Sequence, residues 1–170
     1  EHDVLASAIM VTTSEKLADA TLAEIERQKQ YLSRKDIISK SLEDYGAIII
    51  ADSREKCVEL ANRIAPEHLE VLMENPFELL GSLDNAGSIF LGNYASEPLG
   101  DYYAGPNHVL PTSGTARFFS PLGVASFTKR TAYTYYTEDA LRQAKDDIVL
   151  IAEREGLTAH ANAIKVRFEN

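Results

Sequence analysis

Four histidines, His2, His68, His108 and His160, and the carboxylates near them bound the chemistry open to this chain. None of the four lies in a stretch of helical or strand periodicity where it would serve as core filler. His68 follows Glu67 directly in "APEHLE", just past a helix that Pro66 breaks. An imidazole titrates near neutral pH and a carboxylate can be tuned towards it, so the pair suits proton transfer. The plain alternative for Glu67 and His68 is a solvated helix-to-strand turn. Asp101 and His108 share the segment "GDYYAGPNHVLPTSG", in which Gly105-Pro106-Asn107 demands a loop. Either residue taken alone also reads as an ordinary loop residue.

No compact metal motif is present. His2, Asp101 and His160 are too far apart in sequence for spacing to imply convergence, yet a carboxylate with imidazoles is a set that suits zinc or a similar divalent ion. Two positions run against local rules. Glu155 falls in the last turn of a predicted helix, where the macrodipole disfavours an acid. His160 falls in the first turn of the next helix, where the dipole favours the neutral imidazole that a metal needs. Such departures often mark function, and a frayed helix end is the alternative for Glu155. Cys57 reads as core on an apolar helical face, since reactive thiols sit in electropositive, exposed settings. The tyrosines of "AYTYYT" read as sheet packing.

The elements that must position these residues alternate. A buried strand is expected over 4–13, then a helix over 14–32 with Ala18, Leu22, Ile25 and Leu32 on one face. Thr12 and Glu15 have the spacing of a capping box. A second helix ends at Gly46, a candidate left-handed cap. "AIIIAD" has the continuous apolar character of a central parallel strand. Asp52 and Glu55 could cap the following helix, whose inner face carries Cys57, Ala61 and Ile64. Strands over 68–73 and 86–92 flank a short helix. This alternation predicts an α/β fold: an incomplete Rossmann-like, mostly parallel sheet with flanking helices. The loop bearing Asp101 leaves the carboxyl end of "SIFL", where ligands collect in such sheets. The expected organisation is an α/β half-domain over 1–121 and a small strand–helix tail over 122–170. The tail's strand is "SFTKRTAYTYYT", followed by a helix from Thr137 with Leu141, Ala144, Ile148 and Ile151 inward. Gly156 ends that helix, and Thr158 caps a last one.

With 45% hydrophobic residues in 170, the chain can bury one ordinary core. A net charge of −9 excludes the basic footprint of a nucleic-acid binder. No apolar run approaches the roughly 20 residues of a membrane span, and the start lacks the pattern of a signal peptide. One cysteine excludes an internal disulfide and suits a reducing cytoplasm. No Gly-x-Gly occurs, so the dinucleotide fingerprint is missing, as is the Walker phosphate loop. Starting at Glu1 without a methionine, the chain reads as part of something longer.

Four stretches together carry a resemblance: "EHD", "APEHLE", "AGSIFLGNYASEPLGDYYAGPNHVLPT" and "EGLTAHANAI". In this order they resemble histidinol dehydrogenase, over essentially the whole chain and matching its C-terminal portion. The resemblance implies a zinc-dependent, NAD-linked, homodimeric cytoplasmic enzyme that oxidises L-histidinol through L-histidinal to L-histidine, with its tail reaching the partner subunit's site. It implies His2, Asp101 and His160 as zinc ligands, with a further glutamine ligand upstream of Glu1. His68 would accept the substrate's hydroxyl proton, and Glu67 would activate water at the aldehyde stage. His108 would contact the substrate, and Glu155 would bind it together with His160. NAD contacts would lie mainly upstream, so the piece alone is expected to be inactive. Two other readings remain at this point, a non-catalytic binding module of the same fold and a zinc hydrolase. A nicotinamide site upstream would separate the dehydrogenase from the hydrolase.

Overall fold

A computed structural model describes residues 1–169. The chain divides into two compact units, residues 1–127 and a second beginning at Thr128.

In the first unit, Asp3 accepts from the Leu5 amide at 2.7 Å and turns the start of the chain, so the first strand, β1, is confined to Ala8–Thr12. Helix α1, Glu15–Lys29, starts at Ser14, whose hydroxyl accepts from the Leu17 amide. The expected Thr12–Glu15 box is not the cap; Thr12 Oγ1 instead accepts from the Ser14 amide at 3.1 Å. Helix α2, Lys35–Tyr45, runs straight into strand β2, Gly46–Ile50. Gly46 is extended at φ −79° and not left-handed, because it is already the first strand residue. Strands β1 and β2 pair in parallel, from Ala8 opposite Gly46 to Thr12 opposite Ile50. Ser41 is buried and donates to Ala6 O at 2.7 Å, tying α2 to the approach of β1.

Helix α3, Arg54–Ile64, is capped by Ser53, which accepts from the Lys56 amide; Asp52 is not the cap. Its end is sharp. Ala65 is fully buried in the left-handed region at φ 52°, and strand β3, His68–Val71, follows within three residues. After the short helix α4, Phe77–Leu80, comes strand β4, Ser88–Leu91, parallel to β3 with His68 opposite Ser88. Asn62 on α3 bridges to the segment before β4, donating to Ser82 O and accepting from the Asp84 amide, both at 2.8 Å.

The α/β character with parallel strands and flanking helices is as expected, but the four strands form two separate two-stranded ladders and not one sheet. The segment expected to be a loop after β4 contains helix α5, Glu97–Tyr102. Among the described residues few large side chains are buried: Phe90, Val71 and Leu83 are, while Leu22 and Leu32, expected on the inner face of α1, are exposed.

No strand forms over 126–137, the span expected to be the tail's strand: it begins in a 3-10 turn, Val124–Phe127, that closes the first unit, and the second unit starts without strand structure at Thr128. Helix α6, Glu138–Arg154, starts at Thr137, which accepts from the Ala140 amide. Gly156, at φ 76°, ends it, with Leu157 N–H donating back to Ala152 O at 2.8 Å. Helix α7, Thr158–Lys165, is preceded by Leu157, so Thr158 is its first residue and not its cap. Ala152 and Ala161 are buried, whereas Ile148 and Ile151, expected inward, are exposed. With one partner helix, only a single stripe of α6 can be covered. Among the described residues, no helix is long and apolar enough to cross a membrane.

Candidate active site

Residues 67–71 and 97–101 build the site. Strand alternation puts His68 and Glu70 on one face of β3, and the register sets Phe90 of β4 beside Glu70. Helix α5 lies over this face and runs back along it. Its first amide, Glu97 N–H, donates to Glu70 Oε1 at 2.9 Å, while Asp101 at the far end reaches His68. Close approach needs Gly100: a Cβ there would stand 2.5 Å from Phe90 Cε1. Phe90 in turn packs on the His68 ring, with centroids 5.9 Å apart and planes tilted by 39°. The site therefore sits at the amino end of β3, because α5 folds back from the carboxyl end of β4 and delivers Asp101 there.

His68 Nε2 is buried and has no hydrogen-bond partner among the described residues. Asp101 Oδ1 lies 3.7 Å away, too long for a hydrogen bond. Ligand-type atoms of His68, Glu97 and Asp101 all fall within 4.8 Å of one another. Burial, with the neighbouring Asp101 carboxylate, pushes the Glu97 carboxyl above its ordinary range, while His68 works in the opposite direction. One imidazole and two carboxylates converging around an unpartnered nitrogen form a donor set that fits a divalent cation. Glu67, half-buried, precedes His68 and its carbonyl accepts from Ser88 N–H at 2.8 Å, so both candidate proton-transfer residues hang from the ladder edge.

The other expected site residues are less gathered. His2 is exposed ahead of β1 and lies outside the close group. His108 is exposed in its loop, next to Asn107, whose side chain accepts from Val109 N–H at 2.8 Å and donates to Leu122 O. Glu155, the C-cap of α6, and His160, in the first turn of α7, are exposed on the second unit. Asp101 belongs to a helix and not to the loop that the sequence suggested. Glu97 was missed altogether. Its signal was available: Ser96 with Pro98 marks a helix start, and four residues then place Glu97 and Asp101 on one helical face.

This geometry defines an α/β protein in which a Glu–His pair adjoins a cluster of carboxylates and imidazole that could hold a cation. The histidinol dehydrogenase family model matches residues 1–168. The chain belongs to the histidinol dehydrogenase family. It is 60% identical over its whole length to histidinol dehydrogenase from Caldanaerobacter subterraneus subsp. tengcongensis, and 62% identical over 99% of its length to that from Listeria monocytogenes. In each case it spans 40% of the relative's length. It is also similar to the crystal structure of histidinol dehydrogenase from Elizabethkingia anophelis, with a TM-score of 0.73 and 38% identity, covering 99% of this chain and 39% of that one.

Proposed function

We propose that this chain supplies the acid–base and metal-binding portion of a cytoplasmic, homodimeric enzyme that oxidises L-histidinol through L-histidinal to L-histidine. The observation that carries this reading is the buried, unpartnered Nε2 of His68, held against Asp101 and directly preceded by Glu67. In this reading His2, Asp101 and His160 hold zinc; Asp101 is the one member shared with the close group at His68, whose Nε2 stays off the metal and free to accept a proton. When bound, zinc supplies a charged anchor for the substrate's nitrogens, and NAD supplies the hydride acceptor.

His68 Nε2 takes the hydroxyl proton of the bound alcohol, because it is the unpartnered basic atom at the site. Phe90 and the β3–β4 ladder hold the ring, so its orientation is set before substrate arrives. Glu67 removes a proton from water when the aldehyde is attacked. His108 contacts the substrate, and Glu155 with His160 binds it at the partner subunit's site. NAD contacts fall mainly upstream of this chain, in keeping with its lack of a glycine fingerprint.

The test is NADH formation from L-histidinol by a protein carrying this chain at its relatives' full length, with and without Glu67→Gln. The first oxidation should survive the change, and L-histidinal should accumulate as the second is blocked. Equal loss of both steps overturns the assignment of Glu67, and no NADH from the parent overturns the activity.

A further inference from the structure

The side chain of Arg117 ties the segment that follows the His108 loop to the end of the helix leading into Glu67 and His68. Arg117 Nη1 donates to Gly114 O at 2.7 Å, and Nη2 donates to Arg63 O in the last turn of α3. The planar fork spans two carbonyls that belong to different segments, which a single ammonium does poorly. It also brings a cation to the negative end of α3. Gly114, at φ +76°, allows the contact, since a Cβ there would strike Nη1 of Arg117 and a φ of this sign suits glycine. Beyond Arg63 the chain has little freedom: Ala65 is buried and left-handed, and Pro66 O and Glu67 O accept from Gly87 and Ser88 N–H. At its other end the loop is fixed by Asn107 to Leu122 O.

We infer that Arg117 is a positioning residue, a strut that sets the His108 loop against the Glu67–His68 backbone. The inference rests on the oxidation proposed above. Arg117 touches no reacting atom; its effect passes through α3 to His68 and through the loop to His108.

The experiment uses the full-length protein with Arg117→Ala and Arg117→Lys, measuring kcat and KM for L-histidinol, amide hydrogen exchange, and recovery by added methylguanidinium. Misplacement of catalytic groups should lower kcat in R117A by about tenfold with a smaller change in KM. Methylguanidinium should restore much of that loss, and R117K, which keeps the charge but not the fork, should recover little. Exchange at Gly87 and Ser88 should quicken in the folded variant. A kcat within twofold of the parent in R117A overturns the strut. So does a loss that merely tracks the unfolded fraction, with Gly87 and Ser88 exchange unchanged. Should R117A not fold, R117K decides by the same readings: parent-like kcat and exchange overturn the inference. A parent that fails to oxidise L-histidinol removes the functional reading, and the exchange data then judge the strut alone.

Discussion

Two halves of the first unit use the same parallel pairing to opposite ends. Around β1 and β2 the strands are apolar, and the charges sit on helix surfaces beside opposite partners. Glu24 pairs with Arg27 at 2.5 Å, Lys40 with Asp44 at 2.7 Å and Lys56 with Glu59 at 2.6 Å, each three or four residues apart. Around β3 and β4 the ladder is a residue shorter, and charge is gathered without a balancing cation from the described residues. Glu97 and Asp101 lie together, Glu70 caps α5 from the neighbouring strand, and His68 has an unpartnered nitrogen. The first half pairs these charges within single helices. The second tolerates like charges at close quarters, a left-handed alanine and a glycine-thin contact, as sites built for chemistry do.

The comparison breaks most sharply at His68. His68→Asn in the full-length protein should cost about 10²–10⁴ in the rate of NADH formation while leaving the melting temperature nearly unchanged. A large loss of stability with little loss of rate per folded molecule would make His68 a packing residue like those of the first half. Gly100→Ala comes next. The added methyl must push Phe90 or lift α5, at a cost of about 1–3 kcal/mol in urea denaturation, and should weaken zinc binding measured by calorimetry. Parent-like zinc affinity would mean that α5 does not set the cation site.

Within the first half the expected effects shrink. Ser41→Ala removes the bond to Ala6 O and should cost about 1 kcal/mol, read from the denaturation midpoint, with no effect on activity. Smallest is Glu24→Gln. Its Arg27 partner holds the Glu24 carboxyl down to about 2, so the pair stabilises above the ordinary carboxylate range and loses that contribution as pH falls towards 2. Both groups are exposed, so the variant should match the parent's melting temperature closely at neutral pH and differ by less as the acid is approached. A marked loss at neutral pH would show that the helix surface contributes more than exposed pairs usually do.

Much of this was legible along the chain. The helices around α1, α2, α3 and α6 follow from period and composition, and Gly156 stops α6 for the reason a left-handed position prefers glycine. The Glu67–His68 pair of "APEHLE" was legible as a candidate, because an acid beside an imidazole past a Pro break is local information. Several caps were misplaced by a residue or so: Ser14 and Ser53 displaced the neighbouring Thr12 and Asp52, since which hydroxyl or carboxylate reaches the free amides depends on where the strand before it ends. The tyrosine-rich segment 126–137 has strand composition, yet a strand forms only in a ladder with another strand, and among the described residues the ladders are β1 with β2 and β3 with β4.

Residue types and short-range spacing named candidates for proton transfer and cation binding, though not Glu97, and placed most helices. Folding decided which of those groups meet. The fold-back of α5 turned an apparent loop acid into a helical one, recruited Glu97 beside it, and set both over His68. That decision lay in Gly100 against Phe90 and in the pairing of β3 with β4, contacts between segments roughly 10–30 residues apart. No local period encodes them, because their free energy is realised only when both surfaces have formed.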